Sequence, residues 1–197
     1  MNAREFWDEL YERRVAEAPN VNARLAEIAG PLATGAALDL GCGAGGDALW
    51  LAARGWRVTA VDISGAAVRS LQERGEPITA LRVDLAVDFP DGTFDLVSAQ
   101  YFHTPFDLDR SRVLRTAAGS VNPGGRLVVV DHGSAAPWSW DQDAEYPTPG
   151  EVAAELKLDP ADWSIDRAEA AERLATGPAG RTATVTDHIL VLRRTAR

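Results

Sequence analysis

The sequence contains a single cysteine among its 197 residues, and this scarcity excludes several kinds of chemistry. One thiol, Cys42, cannot form an internal disulfide bond or supply the clustered cysteines of a structural zinc site. No grouping of histidine, aspartate and glutamate has the spacing of metal ligands either. We therefore expect a cytoplasmic protein, in a reducing compartment, without a metal centre.

Long apolar runs are also missing from the sequence. No run approaches the ~20 residues that a membrane-spanning helix requires. The first residues, Met1–Trp7, lack the apolar core of a signal segment. The sequence therefore predicts no association with a membrane.

Positive charge is in short supply as well. Lysine and arginine number 20 against 29 aspartate and glutamate residues, so the formal net charge is −9. Arg193, Arg194 and Arg197 form a short basic tail, but no extended basic patch is visible. Proteins that bind nucleic acid usually carry such a patch, so we expect no nucleic-acid partner.

What the sequence does contain is an alternation of strand-like and helix-like segments, which is typical of an α/β domain. With 46% hydrophobic residues, we expect one domain over residues 1–197, with an amphipathic helical cap over residues 1–30. Apolar runs predict seven strands: Ala36–Leu40, Arg57–Val61, Ile78–Val83, Phe94–Ala99, Arg126–Val130, Trp163–Ala168 and Thr182–Leu192. Several of these runs are apolar on both faces, as parallel strands covered by helices must be.

A glycine-rich turn after the first predicted strand is typical of a cofactor site, but it fits two patterns at once. Gly41, Gly43 and Gly46 match the G-x-G-x-x-G pattern of nicotinamide-binding proteins. Gly41, Gly43 and Gly45 match the G-x-G-x-G pattern that accompanies S-adenosylmethionine (SAM). In both cases glycine lets the backbone turn sharply and approach a ligand closely. The glycines alone therefore leave the cofactor undecided.

Three carboxylates at predicted strand ends favour SAM over a nicotinamide cofactor. Asp39 precedes the glycines, where it would repel a pyrophosphate but could receive an ammonium group. Asp62 ends the second strand and suits the ribose hydroxyls, and Asp84 follows the third strand and suits the amine of adenine. The chain also has no room for the separate substrate domain of a typical dehydrogenase.

These motifs resemble those of class I SAM-dependent methyltransferases. The resemblance rests on Leu38–Gly45, Val61–Ser64, Asp84–Leu85, Phe94–Ser98 and Asn122–Leu127. It implies a Rossmann-like fold, a seven-stranded mostly parallel sheet with helices on both faces. It also implies cofactor contacts from Asp39, Gly41, Gly43, Gly45, Asp62, Ile63, Asp84, Leu85 and Ala99.

A narrower similarity connects the chain with small bacterial methyltransferases of the tellurite-resistance and thiopurine type. It rests on three segments: Phe6–Tyr11, Asp47–Ala52 and Arg54–Val58. The resemblance implies that Trp7 and Tyr11, one helical turn apart, lie over the cofactor. The alternative is that both aromatic residues belong to a helix that merely covers the sheet.

Two histidines are candidates for catalysis of an in-line methyl transfer. His103 follows the fourth strand and His132 follows the fifth, where substrate-facing groups lie in such folds. The segment 131–150 is expected to roof the substrate pocket with Trp138, Trp140 and Tyr146, or else to be pinned to the surface by them. An aromatic wall would favour a small heterocycle, thiol or phenol as the methyl acceptor.

Other functions remain open at this stage. The chain could bind SAM as a regulatory, non-catalytic protein, or it could be a nicotinamide oxidoreductase. For the methyltransferase, the expected product is S-adenosylhomocysteine (SAH), and the expected assembly is a monomer or a homodimer.

Overall fold

The computed structural model describes residues 1–14, 19–139 and 142–196, and these form one twisted sheet flanked by helices. The described strands are β1 (Ala36–Leu40), β2 (Arg57–Asp62), β3 (Ile78–Arg82), β4 (Phe94–Gln100), β5 (Val121–His132), β6 (Trp163–Thr176) and β7 (Thr182–Arg194). The described helices are α1 (Ala3–Arg14), α2 (Ala23–Ala29), α3 (Gly46–Ala53), α4 (Gly65–Glu73), α5 (Arg110–Gly119) and α6 (Pro149–Leu156).

The strand order determines where a ligand can bind. The seven strands lie in the order β3-β2-β1-β4-β5-β7-β6. Strands β1 to β5 run parallel, whereas β7 is antiparallel to both β5 and β6. From β1 the chain continues to β2 and β3 on one side, whereas β4 and β5 lie on the other side of β1. A crevice therefore opens between the carboxyl ends of β1 and β4. This crevice is the expected ligand position in such a sheet, and the predicted fold is confirmed.

The core is divided into two layers by the sheet. Leu38 and Leu40 of β1 pack on one side, in the layer that includes Val113 of α5. Ala37 points to the other side and packs in the layer that includes Leu25 of α2. Because strand residues alternate between faces, Asp39 shares the face of Ala37 and lies beneath α3.

Several element boundaries differ from those expected from the sequence. The N-terminal cap consists of the two helices α1 and α2. Strand β5 begins at Val121, five residues before its expected start at Arg126, and Val121 pairs with Phe94 before a register shift. Strand β6 continues to Thr176, eight residues beyond its expected end at Ala168, because its whole length pairs with β7.

Among the residues that the structure describes, no helix is both long enough and apolar enough to cross a membrane. Trp140 and Arg197, which the sequence analysis singled out, lie outside the described residues.

Candidate functional site

The turn between β1 and α3 requires glycine for two reasons. Gly41 and Gly43 have φ angles of +65° and +51°, in the left-handed region that side chains other than glycine rarely adopt. A Cβ atom on Gly41 would also lie 2.8 Å from the ring of Phe102, and one on Gly43 would lie 2.5 Å from the hydroxyl of Tyr11. The turn is therefore in close contact with the elements that cover it.

Asp62, at the end of β2, ties this turn to the next connection. Its carboxylate accepts hydrogen bonds from the backbone N–H groups of Gly43, at 2.9 Å, and Ser64, at 2.8 Å. Burial raises the pKa of Asp62 above its ordinary value, although these hydrogen bonds favour the charged form. The residue lines the crevice and shapes its floor.

A second buried acid lies beneath the glycine turn. Asp39 is 2% exposed, and its Oδ2 atom has no hydrogen-bond partner. Burial and the nearby carboxylates of Asp47 and Asp62 raise the pKa of Asp39 well above its ordinary range. Asp47 is satisfied by the backbone and side-chain N–H groups of Asn22, at 2.7 Å each. An uncompensated carboxyl oxygen at this point suits a cofactor that brings a positive charge, as SAM does.

A pocket opens at the carboxyl ends of the strands. Its lining includes eight of the residues that the sequence analysis assigned to the site: Trp7, Tyr11, Gly41, Asp62, Ile63, Asp84, Leu85 and His103. The acids Asp62 and Asp84 lie on the side of β2 and β3, and His103 lies on the side of β4. The pocket thus has the carboxylates of Asp62 and Asp84 on one side, and the imidazole of His103 with the carboxylate of Asp107 on the other.

Five of the assigned residues do not line this pocket. Gly43 lies under the hydroxyl of Tyr11, and Gly45 packs against Leu71 of α4. The side chains of Asp39 and Ala99 are buried, so any cofactor contact from Ala99 would have to come from its backbone. The fifth residue, His132, lies next to His103, as described below.

Helix α1 is docked over the pocket by a carboxylate that the sequence analysis did not single out. Asp8 accepts hydrogen bonds from the hydroxyl of Ser64, at 2.8 Å, and from the backbone N–H of Ala66, at 3.1 Å. Its carboxylate also lies 3.4 Å from the guanidinium of Arg82. Because Asp8 lies one residue after Trp7, these contacts place the aromatic face of α1 over the pocket.

The outer rim of the pocket is aromatic. Trp7 stacks against Tyr11, with ring centroids 6.1 Å apart, and its indole N–H donates to the hydroxyl of Thr104 at 3.4 Å. Phe6 packs edge-on against Phe106, with centroids 5.5 Å apart. Helix α1 and the segment after β4 therefore meet through aromatic contacts across the opening.

His103 lies beside a buried carboxylate at the inner side of the pocket. Its Nε2 atom is 3.0 Å from Oδ1 of Asp131, at ion-pair distance but outside hydrogen-bond geometry. The same oxygen accepts a hydrogen bond from Arg110 at 2.6 Å. Burial alone would raise the pKa of Asp131, but His103 and Arg110 lower it below the ordinary value. The imidazole therefore has an ionised partner.

His132 has a different environment, made of rings. Its ring is tilted by 31° against that of Tyr101, with centroids 4.5 Å apart, and its centroid lies 5.5 Å from that of Tyr146 and 6.3 Å from that of His103. Burial lowers the pKa of His132 below its ordinary value, and the nearby His103 lowers it further. The two candidate histidines are adjacent, but only His103 has a carboxylate at ion-pair distance.

Within the segment 131–150, Trp138 and Tyr146 lie in different places, and neither of them lines the pocket. Tyr146 lies close to both histidines, of which His103 lines the pocket. Trp138, in contrast, packs against Gly177 at the tip of the β6–β7 hairpin, where an added Cβ atom would lie 2.4 Å from its ring. Trp138 therefore pins the segment to the hairpin and is absent from the pocket lining.

Sequence reasoning missed several residues that shape this site. Phe102 and Phe106 line the pocket, and Asp8, Arg110 and Asp187 hold its elements in place. The φ angle of +50° at Tyr101 is a further feature that no sequence pattern indicated. Within the described ranges, no three histidine, cysteine, aspartate or glutamate residues are grouped so that they could hold a metal ion.

The central part of the chain matches a known family. Residues 38–129 match the family model described as a methyltransferase domain. This segment runs from β1 into β5, so it contains the glycine turn, both pocket acids and His103. The resemblance to class I SAM-dependent methyltransferases is thereby confirmed.

Two curated relatives show the breadth of the similarity. The chain is 36% identical over 115 residues to a ribosomal RNA small subunit methyltransferase C from Chromohalobacter salexigens, covering 54% of this chain and 34% of that protein. It is 40% identical over 105 residues to an uncharacterised methyltransferase of Mycobacterium tuberculosis, covering 51% of this chain and 52% of that one. The matched region thus spans about half or less of these relatives.

A solved structure extends the likeness to nearly the whole fold. TehB from Haemophilus influenzae superposes with a TM-score of 0.70 at 17% identity, over 96% of this chain and 67% of that chain. This likeness shows the fold, and it agrees with the similarity to the tellurite-resistance type.

Proposed function

Because residues 38–129 match the methyltransferase-domain family, we propose that the chain transfers the methyl group of SAM to a small-molecule acceptor. The observation that carries this proposal is the pocket at the strand ends, which joins the cofactor acids to His103. When bound, SAM supplies a methyl group made electrophilic by its sulfonium. The residues of the chain hold the cofactor, exclude water and position the acceptor.

The acids of the pocket are assigned to separate parts of the cofactor. Asp62 would accept hydrogen bonds from the ribose hydroxyls, and Asp84 would accept one from the exocyclic amine of adenine, because ionised carboxylates act only as hydrogen-bond acceptors. Asp39 lies outside the pocket lining, beneath the glycine turn, and its unpartnered Oδ2 atom would compensate the ammonium group of the cofactor. Trp7 and Tyr11 close the pocket from α1.

His103 is the candidate general base. Its Nε2 atom lies 3.0 Å from the Asp131 carboxylate, and in the tautomer with the proton on Nε2 the Nδ1 atom has the free lone pair that can accept a proton from the acceptor. Asp131 would then stabilise the positive imidazolium that results. His132 lies beside His103, and the ring of Tyr146 is next to both imidazoles.

A small, flat acceptor fits this pocket better than a nucleic acid. Tyr101, Phe102 and Phe106 line the pocket, and aromatic walls favour a heterocycle, phenol or thiol of modest size. The net charge of −9 disfavours the approach of a polyanion. One matched relative is a ribosomal RNA methyltransferase, so RNA belongs among the acceptors tested.

The test is a screen of acceptors with detection of SAH. Thiols, phenols, heterocycles and a ribosomal RNA transcript are each incubated with the protein and SAM. We expect turnover on at least one small acceptor, and for a phenol or thiol a fall in kcat of about 100-fold in His103→Ala. His188→Gln is the control, because His188 contacts the carbonyl of Pro147 away from the pocket lining.

Two outcomes would reject parts of this proposal. If only the RNA transcript is methylated, the acceptor is RNA and the proposed small-molecule acceptor is wrong. SAM binding without turnover on any acceptor would favour a regulatory, SAM-binding protein instead of an enzyme.

A further inference from the structure

A buried charge cluster lies behind the two histidines, on the C-terminal hairpin. Its centre is Asp187 of β7, which is 0% exposed. The carboxylate accepts hydrogen bonds from Arg24 of α2, at 3.0 Å, and from Arg173 of β6, at 2.8 Å. It also accepts one from the hydroxyl of Tyr101, at 2.9 Å. Three elements and the segment after β4 therefore converge on one acid.

Tyr101 is the member of this cluster that reaches the candidate site. Its φ angle of +50° lies in the left-handed region, which is unfavourable for an aromatic residue. Its backbone N–H donates to the carbonyl of Val130, at 2.7 Å, and its hydroxyl also accepts from Arg173, at 3.3 Å. The backbone and the hydroxyl are thus both held, so the ring has a fixed direction.

The ring of Tyr101 is in contact with the imidazole of His132. The two centroids are 4.5 Å apart with an angle of 31° between the planes. Tyr146 and His103 are the other rings next to this imidazole. The charged groups that act on it are Asp187 and Arg173 from the hairpin and Asp131 from β5.

We propose that Tyr101 is a positioning residue that holds His132 beside His103, next to the pocket, through the hydroxyl contacts with Asp187 and Arg173. This inference rests on the proposed function, because it assigns a role within that same site. Asp187 already has two arginine partners, so the hydroxyl is not required to balance its charge. What the hydroxyl contributes is the orientation of the ring under His132.

The test is an NMR titration of the histidine rings, which requires no knowledge of the acceptor. The protein has three histidines, so ring-labelled protein gives three titration curves. In Tyr101→Phe the ring loses the hydroxyl contacts with Asp187 and Arg173, so it is no longer held in one orientation and the imidazole of His132 becomes more exposed to water. We therefore expect the pKa of His132 to rise toward the ordinary histidine value by about half a unit.

A second pair of variants keeps the test decisive should Tyr101→Phe fail to fold. Arg173→Lys keeps the positive charge but removes the guanidinium that contacts Asp187 and the Tyr101 hydroxyl, and it should raise the pKa of His132 in the same direction. Arg167→Lys is the matched control, since Arg167 lies on the same strand and pairs with Glu27 and Glu169 without contacting Tyr101. The control should titrate as the wild type does.

Activity provides the second measurement. We expect kcat of Tyr101→Phe to fall about tenfold while KM for SAM and the melting temperature stay near wild type. Unchanged titration of His132 in both Tyr101→Phe and Arg173→Lys would overturn the positioning role. A failure of the wild type to bind SAM would instead reject the proposed function, so the two failures can be told apart.

Discussion

At Gly41, both the backbone conformation of the turn and the space required for the cofactor favour a residue without a side chain. Its left-handed φ angle and the nearby ring of Phe102 both exclude a side chain. The resemblance to methyltransferases predicted this glycine, because the turn must leave the cofactor room. The structure adds that the space above it borders an aromatic residue from the segment after β4.

A pair of glycine variants separates backbone strain from crowding of the pocket. Gly41→Ala should lower the free energy of unfolding by about 1–3 kcal/mol and weaken SAH binding at least about tenfold. Gly55→Ala is the control. Gly55 also has a left-handed φ angle, of +91°, but a Cβ atom added there would meet no atom within 4 Å. It should lose comparable stability and bind SAH normally. The measurements are chemical denaturation and calorimetry, and equal affinity in the two variants would contradict the assignment.

The residues that were predictable from sequence are those placed by local rules. Asp62 and Asp84 follow apolar runs, and parallel strands bring such positions to one edge of the sheet. Asp187 and Asp8 were not predictable, because their partners are distant in sequence. Arg24 lies 163 positions from Asp187, and Ser64 lies 56 from Asp8, so no periodic pattern connects them.

At the scale of elements, the docking of α1 decides whether the pocket is covered. Asp8 connects α1 to the first turn of α4, where it adds to the cap supplied by Ser64. Burial would raise the pKa of Asp8, but the hydrogen bond from Ala66 and its other contacts lower it. The charged form is therefore favoured, and the docking should persist above the ordinary carboxyl pKa and be lost on acidification below it.

Removing the Asp8 carboxylate should free α1 without unfolding the domain. We expect Asp8→Ala to weaken SAH binding by about three- to tenfold and to speed amide exchange across Ala3–Arg14. Glu9→Ala is the matched control, since the exposed Glu9 pairs with Arg13 on the same helix. Normal exchange in the Asp8 variant would show that other contacts hold α1.

Element boundaries were less predictable than element types. The sequence indicated a strand beginning at Trp163, but its alternation is weak because β6 is an edge strand with many exposed residues. Its full length follows from pairing with β7, which is a long-range contact. The position of Trp138 is similar, because its partner Gly177 belongs to the hairpin that this pairing forms.

At the scale of the whole molecule, the sheet topology bears on where the ligand binds, and the net charge bears on which class of acceptor is proposed. The change of direction at β1 places a crevice between β1 and β4, and the family match covers the strands on both sides of it. The acidic balance of the chain favours an acceptor without a polyanionic backbone. Fold and topology alone leave the acceptor atom open, because one such fold supports many reactions.

The central claim is that the strand-end pocket binds SAM and not a nicotinamide cofactor. Calorimetric titration of the wild-type protein with SAH and, separately, with NAD tests it most directly. We expect saturable one-to-one binding of SAH and no binding of NAD. Binding of NAD, with none of SAM or SAH, would contradict it.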